Sequence, residues 1–149
     1  MTVSLICNHN VATIAPSEGI ATAAARMREE HVGTLIVVER RGSATVPVGI
    51  LTDRDIVVGV VAKGVPAEAV TVGDAMTRDL LSVREDDGVE FALREMRRKG
   101  VRRAPVVGKR GALVGIVSLD DVVQHFATQL GRLADAIRLE QDAETKARP

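Results

Sequence analysis

Two stretches of the chain place apolar residues at helical spacing: Ile20, Ala23, Ala24 and Met27, then Val89, Ala92, Leu93 and Met96. Each predicts an amphipathic helix. Ser17 or Glu18 opens the first and Asp86 or Asp87 the second; His31-Val32-Gly33 and Lys99-Gly100-Val101 end them. A short extended segment precedes each helix, "ATIAP" or "LLSVR". After each comes a continuous apolar run, "TLIVVE" or "APVVG", then a basic Gly-containing loop and a second apolar run, "PVGIL" or "LVGIV". Short apolar runs bounded by turn residues predict buried strands joined as a hairpin. A further helix follows from Asp53 or Leu119. The predicted order is β-α-β-β-α, twice.

The recurrence extends to residue identity. Residues 2–42 overlie 71–111 without a gap at an offset of 69, and residues 46–57 overlie 112–123 at an offset of 66. Sixteen of these 53 positions are identical, where unrelated segments would give about 3. Three extra residues, Ser43-Ala44-Thr45, account for the change of offset and sit in a turn-like stretch where length changes cost little. Neither copy is large enough to bury a stable core alone, so the two are expected to pack face to face.

The expected organisation is a first repeat at 2–62, a linker at 63–70, a second repeat at 71–126, and a C-terminal helix and tail at 127–149. Gly64 and Pro66 break the helix that ends the first repeat. The last helix runs past its repeat with apolar residues at Val122, Val123, Phe126, Leu130, Leu133 and Ile137. Such a stripe requires a partner surface, either the body of the protein or a second subunit.

Composition narrows the function. Lys plus Arg equals Asp plus Glu at 20 each, which leaves no electrostatic footprint for nucleic acid. Trp and Tyr are absent and only Phe91 and Phe126 are aromatic, so no stacking platform for single strands is expected. No apolar run approaches the roughly 20 residues of a membrane span, and "MTVSLICNHN" lacks the features of a signal peptide. The expectation is a soluble cytoplasmic protein. Cys7 and His9, with His31 or His125, raise a metal reading, but Cys7 falls opposite Met76 in the repeat, an apolar packing position. The basic run "REMRRKGVRR" reads as a solvated helix face with neighbouring arginines, since acids elsewhere balance it.

The segments "GILTDRDI", "VGDAMTRDLLSV", "VRRAPVV" and "GIVSLDDV", set on this repeat, resemble those of a tandem pair of CBS domains, the module named after cystathionine β-synthase. The resemblance covers residues 2 to about 126. It implies an α/β (α+β) fold of two β-α-β-β-α motifs packed as a pseudo-two-fold pair, here with an extended C-terminal helix. It also implies a free-standing regulatory or sensor protein without catalytic activity, binding AMP, ADP, ATP or S-adenosylmethionine in clefts between the two domains and forming a homodimer. By position, the resemblance assigns ribose hydroxyls to Asp55 and Asp121, and phosphate or ribose to Thr52 and Ser118. It assigns the adenine edge to Thr13, Ile14 and Ala15 and to Leu81, Ser82 and Val83. The cleft lining falls to Thr34 and Leu35 and to Arg103, Ala104 and Pro105. Met76 would add an apolar wall for the purine.

The chemistry of these residues supports the assignment independently. A carboxylate accepts two hydrogen bonds from a ribose diol. A hydroxyl beside a helix N-terminus suits a phosphate, and Arg54, Arg102 and Arg103 can pair with its oxygens. Thr52-x-x-Asp55 and Ser118-x-x-Asp121 equally fit helix capping boxes, and the two roles are compatible. The copies differ where Gly33-Thr34 faces Arg102-Arg103 and where Arg54 faces Asp120, so the phosphate environments are expected to differ, with the second the weaker. The rival reading is an interaction module with empty clefts, whose apolar C-terminal helix dimerises or docks on an unidentified regulated protein. No nucleophile, base or metal constellation points to an enzyme, and no cofactor is implied.

Overall fold

The computed structural model describes residues 1–148. Each repeat folds as a three-stranded sheet with helices against it. In the first, β1 (Thr13–Ile14), α1 (Ile20–Glu29), β2 (Thr34–Arg41), β3 (Ala44–Thr52) and α2 (Asp53–Ile56) follow in order, and α2 runs on as a wider helical turn over Val57–Val61. A one-turn helix α3 (Val72–Ala75) opens the second repeat, followed by β4 (Val83–Arg84), α4 (Val89–Lys99), β5 (Arg103–Val107), β6 (Leu113–Ser118) and α5 (Leu119–Ala147). The sheet orders are β1-β2-β3 and β4-β5-β6. In both, the first strand lies parallel to the middle one and the third antiparallel to it. The predicted β-α-β-β-α order is observed in both copies.

The helix starts differ from those expected. Gly19 and Gly88 occupy the N-cap positions of α1 and α4, without side-chain caps. The acids just upstream instead close the turns that enter the helices: Glu18 accepts from the backbone of Ala15 (2.9 Å) and Asp87 from that of Arg84 (2.8 Å). The three extra residues of the first copy do not widen a loop. They lengthen the β2–β3 hairpin, which turns at Gly42, φ +63°, with Arg41 opposite Ala44.

Packing interleaves the copies. The first core holds Ile14, Ile20, Met27, Leu35 and Leu51, together with Val72 and Met76 from the start of the second repeat. The second holds Val83, Val89, Ala104, Val106 and Val117, together with Val3 and Cys7 from the start of the first. Each opening segment thus crosses to the opposite core and then returns to its own sheet. Two glycines admit the crossing chain. A Cβ on Gly49 would lie 2.6 Å from Met76 Sδ, and one on Gly115 would lie 2.8 Å from Cys7 Sγ. The crossing segments also pair with the third strands, Thr77 with Ile50 and Asn8 with Ile116, through reciprocal backbone hydrogen bonds of 2.8–3.0 Å.

The 29 residues of α5 give a helix about 44 Å long. Val122 is its one buried residue among those described, while Val123, Phe126, Leu130, Leu133 and Ile137 are exposed. No helix among the described residues is long and apolar enough to cross a membrane.

Candidate functional site: two clefts between the repeats

Where each crossing segment leaves the opposite core, it forms one wall of a cleft. The larger cleft, about 650 Å³, lies between the β3–α2 junction (Ile50, Thr52, Asp53, Arg54, Asp55) and the second crossing segment (Thr77, Asp79, Leu80, Leu81). Gly33 and Thr34 from one repeat and Gly100, Val101, Arg102 and Arg103 from the other complete it. The smaller, about 270 Å³, repeats the arrangement: Ile116, Ser118 and Asp121 face Asn8, Asn10, Val11 and Ala12, with His31, Val32, Gly33, Thr34 and Arg103.

Both helix starts at these clefts are capping boxes. Asp55 N–H donates to Thr52 Oγ1 (3.1 Å), and Thr52 N–H donates to Asp55 Oδ2 (2.8 Å). Asp121 N–H donates to Ser118 Oγ (3.1 Å), and Ser118 N–H donates to Asp121 Oδ2 (2.7 Å). In each carboxylate the box engages Oδ2 and leaves Oδ1 without a hydrogen-bond partner among the described residues. A third box, Thr71 with Asp74, lines neither cleft. The motif therefore marks helix starts, and its position beside a crossing segment is what puts two of the three on a cavity.

Charge divides the clefts. Arg54, Arg102 and Arg103 line the larger, against Asp53, Asp55 and Asp79. Among the described residues, Arg103 is the only arginine lining the smaller. Lys99 holds the Asp79 carboxyl below the usual carboxylate range, by hydrogen bond and then by charge. Asp120, expected to weaken the second cleft, lines neither cavity and lies 3.6 Å from Arg102 in an exposed ion pair. Thr34 is the one buried polar residue among those described, and its Oγ1 has no hydrogen-bond partner.

Several residues assigned by position lie elsewhere. Ile14 and Val83 are 1% exposed and point into the cores, because Thr13–Ile14 and Val83–Arg84 are strands paired inside the sheets. Of Thr13, Ile14, Ala15, Leu81, Ser82 and Val83, Leu81 alone lines a cleft; the walls come from the residues just before those strands, 8–12 and 77–81. Leu35, Ala104 and Pro105 are buried inside the middle strands, so each of those strands offers only its first residue, Thr34 or Arg103. Met76 packs over Gly49 in the first core and lines neither cleft. The cleft residues Asp53, Thr77, Asp79, Asn8 and Asn10 escaped the sequence reading. Their signal was present, since Thr77 and Asn8, and Asp79 and Asn10, coincide at the repeat offset of 69.

The metal candidates do not assemble. Cys7 Sγ is 3.8 Å from His9 Nε2, and His9 Nδ1 lies 2.9 Å from the Val114 carbonyl oxygen. Among the described residues, no three His, Cys, Asp or Glu side chains converge on a metal position. Burial pushes the Cys7 thiol pKa up.

Paired α/β repeats that exchange their opening segments and enclose two related clefts define a tandem-domain module. The family model described as the CBS domain matches residues 3–61 and 72–128, and the chain belongs to the CBS domain family. CBS pairs are generally regulatory. The chain is 35% identical over 124 residues to an uncharacterized protein of Methanopyrus kandleri; the match covers 83% of this chain and 62% of that protein's length. It is similar to a hexameric CBS-CP12 protein from bloom-forming cyanobacteria, at 32% identity and a TM-score of 0.71, covering 83% of this chain and 69% of that one. It is also similar to the CBS domain pair of protein MJ0100 in complex with 5′-methylthioadenosine and S-adenosyl-L-methionine, at 26% identity and a TM-score of 0.74, covering 87% and 98%.

Proposed function

We propose that this CBS pair is a non-catalytic sensor that binds an adenosine-containing ligand, AMP, ADP, ATP or S-adenosylmethionine, in the clefts between its repeats. The observation that carries the reading is the composition of the larger cleft. One cavity of about 650 Å³ gathers Thr52, Asp55, whose capping box uses only one carboxylate oxygen, and Arg54, Arg102 and Arg103. Its volume lies within the range of small-molecule sites. A carboxylate for the ribose diol, a capped helix start and guanidinium groups for phosphate are the donors and acceptors such a ligand requires. Apolar contact for the base comes from Ile50, Leu80, Leu81 and Val101. The solved CBS pair holding adenosyl ligands supports the ligand class. Because both repeats contribute walls, a bound ligand favours one relative arrangement of them, which a partner can read.

A homodimer belongs to the same proposal. The exposed apolar residues of α5 require cover, as do Val57, Val58 and Val61 after α2. The stripe equally favours the second reading, an interaction module whose clefts stay empty. Melting temperatures measured with AMP, ADP, ATP, S-adenosylmethionine and NAD in turn separate the two. A ligand that binds the native state raises the melting temperature, and Asp55→Asn, which keeps an acceptor for the cap, diminishes the rise. No rise with any of the five favours the interaction module. A rise that survives both Asp55→Asn and Asp121→Asn shows that the site lies elsewhere.

A further inference from the structure

The two clefts share a wall. Gly33, Thr34 and Arg103 line both cavities. Thr34 and Arg103 are equivalent positions of the two repeats, each the first residue of its middle strand, and each stands opposite the capping hydroxyl of its own repeat, Thr52 or Ser118. Residues directly opposite on an antiparallel pair project to the same face. The pseudo-two-fold axis therefore passes between Thr34 and Arg103. Substitution has made the pair unequal: the first repeat offers a hydroxyl at this point and the second a guanidinium. The hydroxyl is more than nine-tenths buried and has no partner, which leaves an acceptor or donor position open between the clefts. Arg103 forms no ion pair among the described residues.

We infer that Arg103 is shared, so that a phosphate-bearing ligand in the larger cleft weakens the smaller cleft for ligands of the same class. The inference rests on the proposed reading of the clefts as adenosine-ligand sites. The larger cleft has Arg54 and Arg102 besides Arg103; the smaller has no second arginine. A guanidinium bonded to phosphate in one cavity cannot present the same fork to the other. The larger cleft, with more room and more cation, fills first. The smaller then retains Ser118 and Asp121 for a ribose but lacks its arginine. Coupling of this kind is reciprocal and typically amounts to about 5- to 150-fold in affinity. A neutral nucleoside does not engage Arg103 and leaves the clefts independent. The two clefts are thereby coupled for a phosphorylated ligand and uncoupled for an unphosphorylated one.

The test is an NMR titration of the full chain with AMP and, separately, adenosine, following the backbone amides of Thr52 and Asp55 for the larger cleft and of Ser118 and Asp121 for the smaller. In the unmodified protein, AMP moves the larger-cleft amides first. Asp55→Asn, which disables the larger cleft, is expected to tighten AMP binding at the smaller cleft by about tenfold and to leave adenosine binding there unchanged. Arg103→Gln, a substitution at an exposed side chain, is expected to erase that difference. A smaller cleft that has the same AMP affinity with and without Asp55→Asn, or that never responds, overturns the sharing while larger-cleft binding stands. Amides in both clefts that are unmoved by AMP and by adenosine overturn the ligand reading and the sharing with it.

Discussion

Gly49 and Gly115 show how a single missing side chain governs the architecture. Each sits where a crossing segment presses on a third strand, and in each case the hypothetical Cβ meets a backbone carbonyl at 3.0 Å as well as a sulfur atom. The carbonyls belong to Thr77 and Asn8, whose own hydrogen bonds to Ile50 and Ile116 hold them in place. Neither contact can be relieved by rotating a side chain. Gly49→Ala and Gly115→Ala are therefore expected to destabilise the fold by about 1–3 kcal/mol each, read as a lower midpoint of urea unfolding. An unchanged midpoint would show that the crossing segments do not lie where they are described. In sequence these glycines open the repeated segments "GILTDRDI" and "GIVSLDDV", and nothing there marks the close approach of a crossing segment. Thr52 and Asp55 were legible as a capping box from their spacing, and that box leaves Asp55 Oδ1 without a hydrogen-bond partner among the described residues. Met76, expected to wall a purine, instead ends α3 and packs over Gly49 in the first core, because its sequence position does not say which cavity or core an apolar side chain enters.

At the scale of elements, the strands and helices were legible because each repeat spelled its pattern twice and the two spellings agreed. The exchange of opening segments was not legible. The repeat marks Cys7 and Met76 as matching apolar packing positions, but not in which of two equivalent cores. The same ambiguity hid the fact that the cleft walls come from within residues 8–12 and 77–81, just before the strands that follow. The C-terminal helix was read correctly as a long amphipathic element, and its apolar residues at 123, 126, 130, 133 and 137 alternate spacings of three and four, the repeat of a helix–helix seam. Leu133→Glu places a charge on that seam at an exposed position, outside both cores. The variant is expected to keep the parent's helical content and lose mass in light scattering. Unchanged mass would exclude this part of α5 from the assembly contact.

At the scale of the whole molecule, acid sensitivity follows from carboxylates placed where the repeats join. Hydrogen bonds from the Thr71 backbone and hydroxyl hold Asp74 below the usual carboxylate range, as Lys99 does for Asp79. A carboxyl group whose pKa is lower folded than unfolded adds stability that is complete above the unfolded value and is lost as pH falls through the folded one. Both groups are open to solvent, so each contribution is small. The midpoint of urea unfolding is expected to be flat from pH 8 to 5.5 and to fall below about pH 4; a rise on acidification would contradict the assignment. The central claim concerns the larger cleft, where both repeats meet around Asp55. Its most direct test is a calorimetric titration with AMP of the unmodified protein and of Asp55→Asn. The predicted result is that the larger-cleft event, the tighter of the two in the unmodified protein, weakens by about tenfold or more in the variant, as the loss of a charge-assisted ribose contact requires; a larger-cleft event of equal affinity in the two proteins would contradict the account.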